Sequence, residues 1–268
     1  MSTRDPPWSS SQDREMDELL ALDAAAREAR LAGIAREQPE RAQRLRDWLR
    51  AVEASAGSLE ANTADGRRFG PWRAIRLVGR GGMGEVYSGE RADGAFERRV
   101  AIKRMRPDRA TSPAQLARER ALLAGLDHPG IARLLDGGAL EDGSPWLVTE
   151  WIEGTTLDRW LAAQPRSRRE RVALLRDVCA AIAYAHGHLV VHRDLKPANV
   201  MVDLDGRPHV VDFGIARALD EERSRALTDD RALTPAFAAP EQLTGGAITT
   251  RTDVDSLGVL LYWLLTER

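Results

Sequence analysis

The segment His192–Asn199 constrains the fold of this chain more than any other feature. It reads His-Arg-Asp-Leu-Lys-Pro-Ala-Asn, so a carboxylate, an ammonium and a carboxamide stand at fixed offsets within one loop. Asp194 is suited to accept or orient a proton, Lys196 to neutralise negative charge, and Asn199 to hold a metal ion. Because chance is a poor explanation for this spacing, we expect a fold that brings the three groups into one site.

Lysine usage indicates a second position. The chain has 39 lysine and arginine residues, and only Lys103 and Lys196 are lysines. Arginine carries a planar guanidinium, whereas lysine carries a compact, flexible ammonium. A chain that favours arginine so strongly is expected to keep lysine where the ammonium is needed, which makes Lys103 a candidate site residue.

A glycine-rich segment lies between two β-like runs. Gly79–Val86 matches G-x-G-x-x-G-x-V, a pattern in which backbone amides approach phosphate oxygens because side chains are absent. The same spacing occurs in dinucleotide-binding folds, where the glycines lead into a helix. Strand-like sequence flanks this segment on both sides, which favours a hairpin that covers a nucleotide.

The periodicity predicts a β-rich region followed by an α-rich region, an α+β fold. We expect strands at 74–78, 84–88, 99–104, 131–135, 146–151, 200–202 and 209–211, and helices at 113–126, 169–186 and 252–265. Two amphipathic helices at 14–34 and 39–54 are predicted to form a hairpin, for packing or partner contact rather than membrane binding. The apolar residues expected to face one another across it are Leu19, Leu20, Leu22 and Leu31 on the first helix and Leu45, Trp48, Leu49 and Val52 on the second. The predicted domains are an N-terminal helical segment at 1–56, a linker at 57–70 and a main domain at 71–268.

Composition excludes several classes of protein. The formal net charge of −2 gives no reason to expect binding to nucleic acid or to an anionic membrane. The single cysteine, Cys179, excludes an internal disulfide framework. Met1–Gln12 lacks the apolar stretch of a signal peptide, and Leu257–Leu265 is too short to span a membrane. We therefore expect a cytoplasmic protein.

Two further motifs follow in order, Asp212-Phe213-Gly214 and Ala239-Pro240-Glu241. With these, the chain resembles the protein kinase family from about Pro71 to Arg268, and Gly82–Tyr87 is similar to the bacterial, eukaryotic-like (Hanks-type) serine/threonine branch. The resemblance implies a bilobal fold that binds ATP and Mg²⁺ in its cleft. It also implies a hinge at Glu150–Ile152 whose backbone binds adenine, with Thr149 at the back pocket and Asp253 bracing the catalytic loop.

The resemblance implies a role for each site residue. The catalytic residues are Asp194, Lys196 and Lys103, with Glu119 as the acidic partner of Lys103, and the metal ligands are Asn199 and Asp212. The expected nucleotide contacts are Val78, Gly79, Gly81, Gly82, Gly84, Val86, Ala101, Lys103, Glu150 and Ile152.

The implied activity is transfer of phosphate from ATP to serine and threonine hydroxyls of protein substrates. Lys196 stands two residues after Asp194, as in serine/threonine rather than tyrosine kinases, and Thr234 resembles the threonine that contacts both. We expect autophosphorylation within 215–235, at Thr228 first and Ser224 next, by one copy of a homodimer on the other. Two alternatives remain. One is a non-catalytic nucleotide-binding or scaffolding module, and the other is a small-molecule phosphotransferase, which the Ala-Pro-Glu motif and Thr234 disfavour because in the family they serve the docking of protein substrates.

Two expectations concern less specific features. His186, His188 and His192 are close in sequence, but no acidic or cysteine ligand set accompanies them, so zinc is disfavoured. In the family a late C-lobe helix supplies an arginine to the glutamate of the Ala-Pro-Glu motif. The C-lobe is therefore expected to be incomplete at Arg268, with Glu241 buried without that partner and the apolar face of 257–264 partly uncovered.

Overall fold

The computed structural model describes positions 19, 22, 24–39, 41–43, 45, 46, 49, 66–81, 84–94, 98–105, 113–213 and 235–266. Its elements are, in chain order, α1 (Ala24–Glu37), β1 (Arg68–Phe69), β2 (Trp72–Gly81), β3 (Gly84–Arg91), β4 (Val100–Met105), α2 (Pro113–Ala124), β5 (Leu134–Ala139), β6 (Pro145–Glu150), β7 (Gly154–Thr156), α3 (Leu157–Ala163), α4 (Arg168–Gly187), β8 (Val200–Asp203), β9 (Pro208–Val210), α5 (Pro240–Thr244) and α6 (Thr250–Thr266). Short 3₁₀ turns lie at Pro197–Asn199 and Pro235–Phe237.

The N-terminal lobe is built on an antiparallel sheet with strand order β1-β2-β3-β4-β6-β5. One face carries the buried residues of the lobe core, because alternate strand residues point the same way. This core contains Phe69, Trp72, Ala74, Leu77, Tyr87, Val100, Ile102, Trp146 and Val148. On another part of the sheet, α2 packs through Leu116 against Met105 and Leu147.

The edge strand β1 falls inside the predicted linker 57–70. It pairs with the start of β2, Phe69 opposite Trp72, and the ring of Phe69 is fully buried. Its aromatic neighbours are Tyr87 and Trp146, with ring centroids 5.9 and 6.1 Å away. A two-residue strand gives too little alternation to be recognised from sequence, which explains the difference.

The C-terminal lobe is centred on α4. Its first turn is fixed by a capping box in which Ser167 Oγ accepts from the Glu170 N–H and Glu170 accepts from the Ser167 N–H. The buried face of α4 meets α6, where Leu260 and Leu264 are fully buried. Arg171 Nη1 donates to the Leu264 carbonyl oxygen at 2.8 Å, which joins the start of one helix to the end of the other.

The expected loss of cover on α6 is only partly observed. Leu260 and Leu264 are buried and Leu257 packs against the same core, whereas Leu261 is 37% exposed. The predicted exposure of Leu260 and Leu264 was therefore wrong, because α4 already covers that face of the helix.

The helical N-terminal segment encloses a small apolar cluster. Leu19, Leu31, Leu45 and Leu49 are buried together, as the predicted hairpin required of these positions. Leu204, in the β8–β9 turn, packs against the cluster. Leu20, Trp48 and Val52, also expected there, lie outside the described residues. Within the described part of the chain, no helix has the length and apolar character to cross a bilayer.

Candidate active site

The segment His192–Asn199 is held by Asp253, a fully buried residue of the first turn of α6. Its Oδ2 accepts from the His192 N–H at 2.7 Å, and its Oδ1 accepts from the Arg193 N–H at 2.8 Å. His186 Nε2 also donates to Oδ2, at 2.7 Å. The predicted bracing role of Asp253 is confirmed by these contacts.

His192 joins this loop to the segment that carries Asp212. Its Nδ1 accepts from the Asp194 N–H at 3.2 Å, so its Nε2 carries the proton and donates to the Val211 carbonyl oxygen at 3.0 Å. The ring is fully buried and lies 4.7 Å from that of Phe213, centroid to centroid. Burial lowers the pKa of His192, which keeps the ring neutral and both hydrogen bonds in place.

Asp194, Lys196 and Asn199 meet at one point, as the spacing predicts. Lys196 Nζ lies 3.0 Å from Asp194 Oδ2. Asn199 Nδ2 donates to the Asp194 carbonyl oxygen at 2.7 Å and to Oδ2 at 3.1 Å. The 3₁₀ turn at Pro197–Asn199 brings the carboxamide back to the carboxylate. Because the amide nitrogen faces Asp194, the oxygen of Asn199 is the atom that would bind a metal.

Asp212 and Asn199 are linked through the backbone, since the Val211 N–H donates to the Asn199 carbonyl oxygen at 3.0 Å. Asp212 has φ +59° and Arg193 has φ +68°, a left-handed conformation that is uncommon for residues with side chains. Such strained residues cluster at functional sites, where the surrounding contacts hold them.

Lys103 on β4 reaches across the cleft to Asp212, with Nζ 3.0 Å from Oδ2. Among the described ion pairs none joins Lys103 to Glu119, the partner expected on α2, and Glu119 has other interactions. The structure therefore brings Lys103 to the predicted metal ligand and not to Glu119. Two partly buried opposite charges at this distance stabilise each other more than a fully exposed pair would.

The strand register places the other predicted nucleotide contacts beside Lys103. Val86 lies directly opposite Lys103, and Ala101 opposite Thr149. Residues paired across antiparallel strands share a face, as do residues two apart on one strand. Val86, Ala101, Lys103 and Thr149 therefore lie on one face of the sheet.

The glycine-rich segment forms the β2–β3 hairpin, in which Gly81 pairs with Gly84. A Cβ on Gly79 or Gly81 would meet nothing within 4 Å, whereas one on Gly84, at φ +144°, would lie 2.0 Å from the Arg104 carbonyl oxygen. Val78 is partly exposed on β2. Gly82 lies outside the described residues.

The hinge follows β6. The Glu150 N–H donates to the Arg133 carbonyl oxygen at 3.0 Å, and Glu150 Oε1 accepts from the Arg133 N–H at 2.9 Å. These two bonds hold the strand end against the segment before β5. Ile152, two residues on, is buried.

Glu241 is not the uncompensated buried charge that was expected. Its Oε1 accepts from Thr252 Oγ at 2.6 Å, and this hydrogen bond lowers the pKa of Glu241. The side chain is also partly exposed. The prediction was wrong because a nearby hydroxyl on α6 supplies a partner.

The donor set at the cleft fits a nucleotide with a divalent cation. A carboxylate from Asp212 and a carboxamide oxygen from Asn199 are the kind of ligands that Mg²⁺ prefers. Open space over Gly79 and Gly81 leaves room for phosphate oxygens near the hairpin backbone. Gly214, Ser224, Thr228 and Thr234 lie outside the described residues.

Residues 72–268 match the family model described as "Protein kinase domain". The chain belongs to the protein kinase family. The predicted α+β bilobal fold and the resemblance to bacterial serine/threonine kinases are thereby confirmed.

Curated relatives of this kinase are named as serine/threonine kinases. It is 37% identical to the serine/threonine-protein kinase PrkC of Bacillus subtilis over 210 residues, 76% of this chain and 32% of that protein. It is 37% identical over 199 residues to PknB of Mycolicibacterium smegmatis, covering 71% of this chain and 31% of that protein. The chain thus spans about a third of the length of these relatives.

Solved structures agree on the fold. The kinase domain of PknI from Mycobacterium tuberculosis, in a double-mutant form, superposes with a TM-score of 0.61 at 28% identity, covering 76% of each chain.

One residue of the site was missed from sequence. Gln242, directly after Ala239-Pro240-Glu241, donates from Nε2 to the Arg193 carbonyl oxygen at 2.7 Å. A glutamine after a motif gives no sequence signal of a contact to a loop 49 residues earlier.

Proposed function

We propose that this chain is a serine/threonine protein kinase that transfers the γ-phosphoryl group of ATP to hydroxyls of protein substrates. The observation that carries the proposal is the convergence of Lys103, Asp194, Lys196, Asn199 and Asp212 on one cleft of a protein kinase fold.

Asp194 is proposed as the group that accepts or orients the proton of the substrate hydroxyl. It is largely buried, and its Oδ2 is held by Lys196 and Asn199, so its orientation is fixed before a substrate arrives. Lys196, 3.0 Å from that oxygen, is proposed to neutralise charge that develops on the transferring group.

Asn199 and Asp212 are proposed to hold Mg²⁺, whose charge would neutralise the phosphates of bound ATP. Lys103 is proposed to contact the α- and β-phosphates, and Glu119 to pair with Lys103 when the kinase is active. That pairing requires Lys103 to exchange its present partner, Asp212, for Glu119.

The sheet face of Val86 and Ala101 is proposed to cover the adenine, with the backbone of Glu150 and Ile152 binding its edge. Val78 and the glycines of the β2–β3 hairpin, Gly79, Gly81, Gly82 and Gly84, are proposed to cover the phosphates. Support comes from the register of β3, β4 and β6 and from the open space at Gly79 and Gly81.

Autophosphorylation within 215–235 is proposed as the activating step, at Thr228 first and Ser224 next, by one copy of a homodimer on another. A phosphate carries close to two negative charges at neutral pH and pairs well with arginine. Arg193, next to Asp194, is the proposed receptor. Mass spectrometry that finds 215–235 unmodified in active enzyme would remove this step.

The test of function is transfer from [γ-³²P]ATP, with Mg²⁺, to a generic protein substrate, followed by phosphoamino-acid analysis. We expect phosphoserine and phosphothreonine without phosphotyrosine. Nucleotide binding without transfer would favour a scaffolding module instead. Transfer to an aminoglycoside panel but not to protein would indicate a small-molecule phosphotransferase.

A further inference from the structure

We propose that Gln242 is a positioning residue that holds the peptide bond leading into Asp194. The inference rests on the proposed function, in which Asp194 orients the substrate hydroxyl. Through Gln242, the helix α5 contacts the catalytic loop directly. This helix begins within the Ala-Pro-Glu motif.

Both ends of the Gln242 carboxamide are engaged. Nε2 donates to the Arg193 carbonyl oxygen at 2.7 Å, and Oε1 accepts from the Ala239 N–H at 3.0 Å. The residue is 9% exposed. Because one end requires a donor and the other an acceptor, the amide can stand in only one orientation.

The peptide between Arg193 and Asp194 is therefore clamped on both sides. Its carbonyl accepts from Gln242, and its N–H donates to His192 Nδ1 at 3.2 Å. The preceding N–H, that of Arg193, donates to Asp253 Oδ1. Arg193 has φ +68°, a conformation that an arginine keeps only when surrounding contacts hold it. Without the Gln242 side chain, the Arg193 carbonyl would lose this hydrogen bond, and Asp194 could shift.

Contacts other than the bond from Gln242 to Arg193 also hold α5 in place. Thr252 Oγ donates to Glu241, and Ser256 Oγ donates to the Phe237 carbonyl oxygen, so α6 anchors the segment independently. A change at Gln242 is thus expected to alter the catalytic loop while the helix stays in place.

The decisive variant is Gln242→Glu, which has the same shape but lacks the donor when ionised. We expect kcat at about pH 8 to fall about ten-fold or more, with the Kd for ATP within about two-fold of wild type, because a small misplacement of a reacting group is costly. A protonated carboxyl has an O–H that can donate to Arg193 and a C=O that can accept from Ala239. The ratio of variant to wild-type kcat should therefore rise as pH falls towards about 5.5, since burial raises the pKa of a carboxyl.

Two further variants isolate the effect. Gln242→Leu cannot donate at any pH, so its deficit should not recover in acid. Thr244→Ala, which removes an exposed hydrogen bond to the Pro240 carbonyl oxygen on the same helix, should keep wild-type kcat. Wild-type kcat in Gln242→Glu at about pH 8, or a deficit in it as independent of pH as that of Gln242→Leu, would overturn the proposal.

Amide hydrogen exchange separates this proposal from the proposed function. Exchange across 190–200 should be faster in Gln242→Leu than in Thr244→Ala, and by a larger factor than exchange elsewhere in the C-terminal lobe, because a general loss of stability would raise exchange throughout the lobe. If the wild-type chain showed no transfer activity, the proposed function would be wrong, and the exchange rates would still show whether Gln242 holds the loop. Equal exchange in the two variants would show that Gln242 does not hold the loop.

Discussion

Replacing Asp253 by asparagine should destabilise the segment His192–Asn199. The carboxylate accepts from two backbone N–H groups, of His192 and Arg193, and from His186 Nε2, and it is fully buried. An asparagine oxygen can replace Oδ2 and keep His192 and His186, but its NH₂ group then faces the N–H of Arg193.

The magnitude follows from these contacts. One buried donor without a partner costs about 1–3 kcal/mol, and the two remaining bonds each lose about 1 kcal/mol of charge assistance. Relief of the buried charge offsets part of this sum, so we expect a net loss of about 2–4 kcal/mol in the free energy of unfolding. With a urea m-value of about 2 kcal/mol/M, the unfolding midpoint should fall by about 1–2 M.

Urea unfolding followed by circular dichroism measures this shift, and phosphate transfer is assayed on the same preparations. Asp255→Asn is the matched control, because it makes the same change at an exposed position two residues along α6. We expect Asp253→Asn to lower kcat together with stability, since Arg193 loses one of the two hydrogen bonds that hold its strained backbone. A midpoint and kcat equal to those of Asp255→Asn would show that the Asp253 carboxylate does not hold the loop.

Three other changes test separate parts of the structure. Gly84→Ala should lower the melting temperature and weaken ATP binding, because the added Cβ would lie 2.0 Å from a carbonyl oxygen of β4. Gly79→Ala should leave the melting temperature unchanged, because a Cβ there would meet nothing within 4 Å. Thr252→Val should lower stability by about 1–2 kcal/mol in urea unfolding, because Glu241 loses its hydroxyl donor. Burial lowers the pKa of His192 in the folded chain, so below about pH 6.5 the unfolded chain binds a proton that the folded chain does not. The free energy of unfolding should therefore fall by up to about 1.4 kcal/mol per pH unit below about pH 6.5. Equal urea midpoints at about pH 7.5 and about pH 5.5 would contradict this expectation.

The elements that dominate both lobes were predictable because their signals are local. The helix expected at 169–186 is observed as α4, Arg168–Gly187, since a capping serine and a long apolar period define it. The strand expected at 99–104 is observed as β4, Val100–Met105, because β-branched residues alternate there. The polar cluster of Asp194, Lys196 and Asn199 followed from its spacing in one loop.

The features that were missed depend on contacts between distant segments. The pairing of Lys103 with Asp212 depends on how the two lobes meet, which no local pattern encodes. The partner of Glu241 is a threonine hydroxyl on the next helix, a residue type too common to stand out. Gln242 was overlooked because its side chain donates to a backbone carbonyl oxygen. Every residue has such a carbonyl, so a sequence motif does not indicate which one accepts the bond.

Asp194 is proposed to act on phosphoryl transfer and not on nucleotide binding, and the variant Asp194→Asn separates the two roles. Asp205→Asn is the matched control, the same change at an exposed turn residue. We expect Asp194→Asn to keep the ATP Kd within about three-fold of the control while kcat for protein phosphorylation falls by about 10³ or more. Near-wild-type kcat in Asp194→Asn, with bound ATP, would show that the Asp194 carboxylate is not needed for phosphoryl transfer.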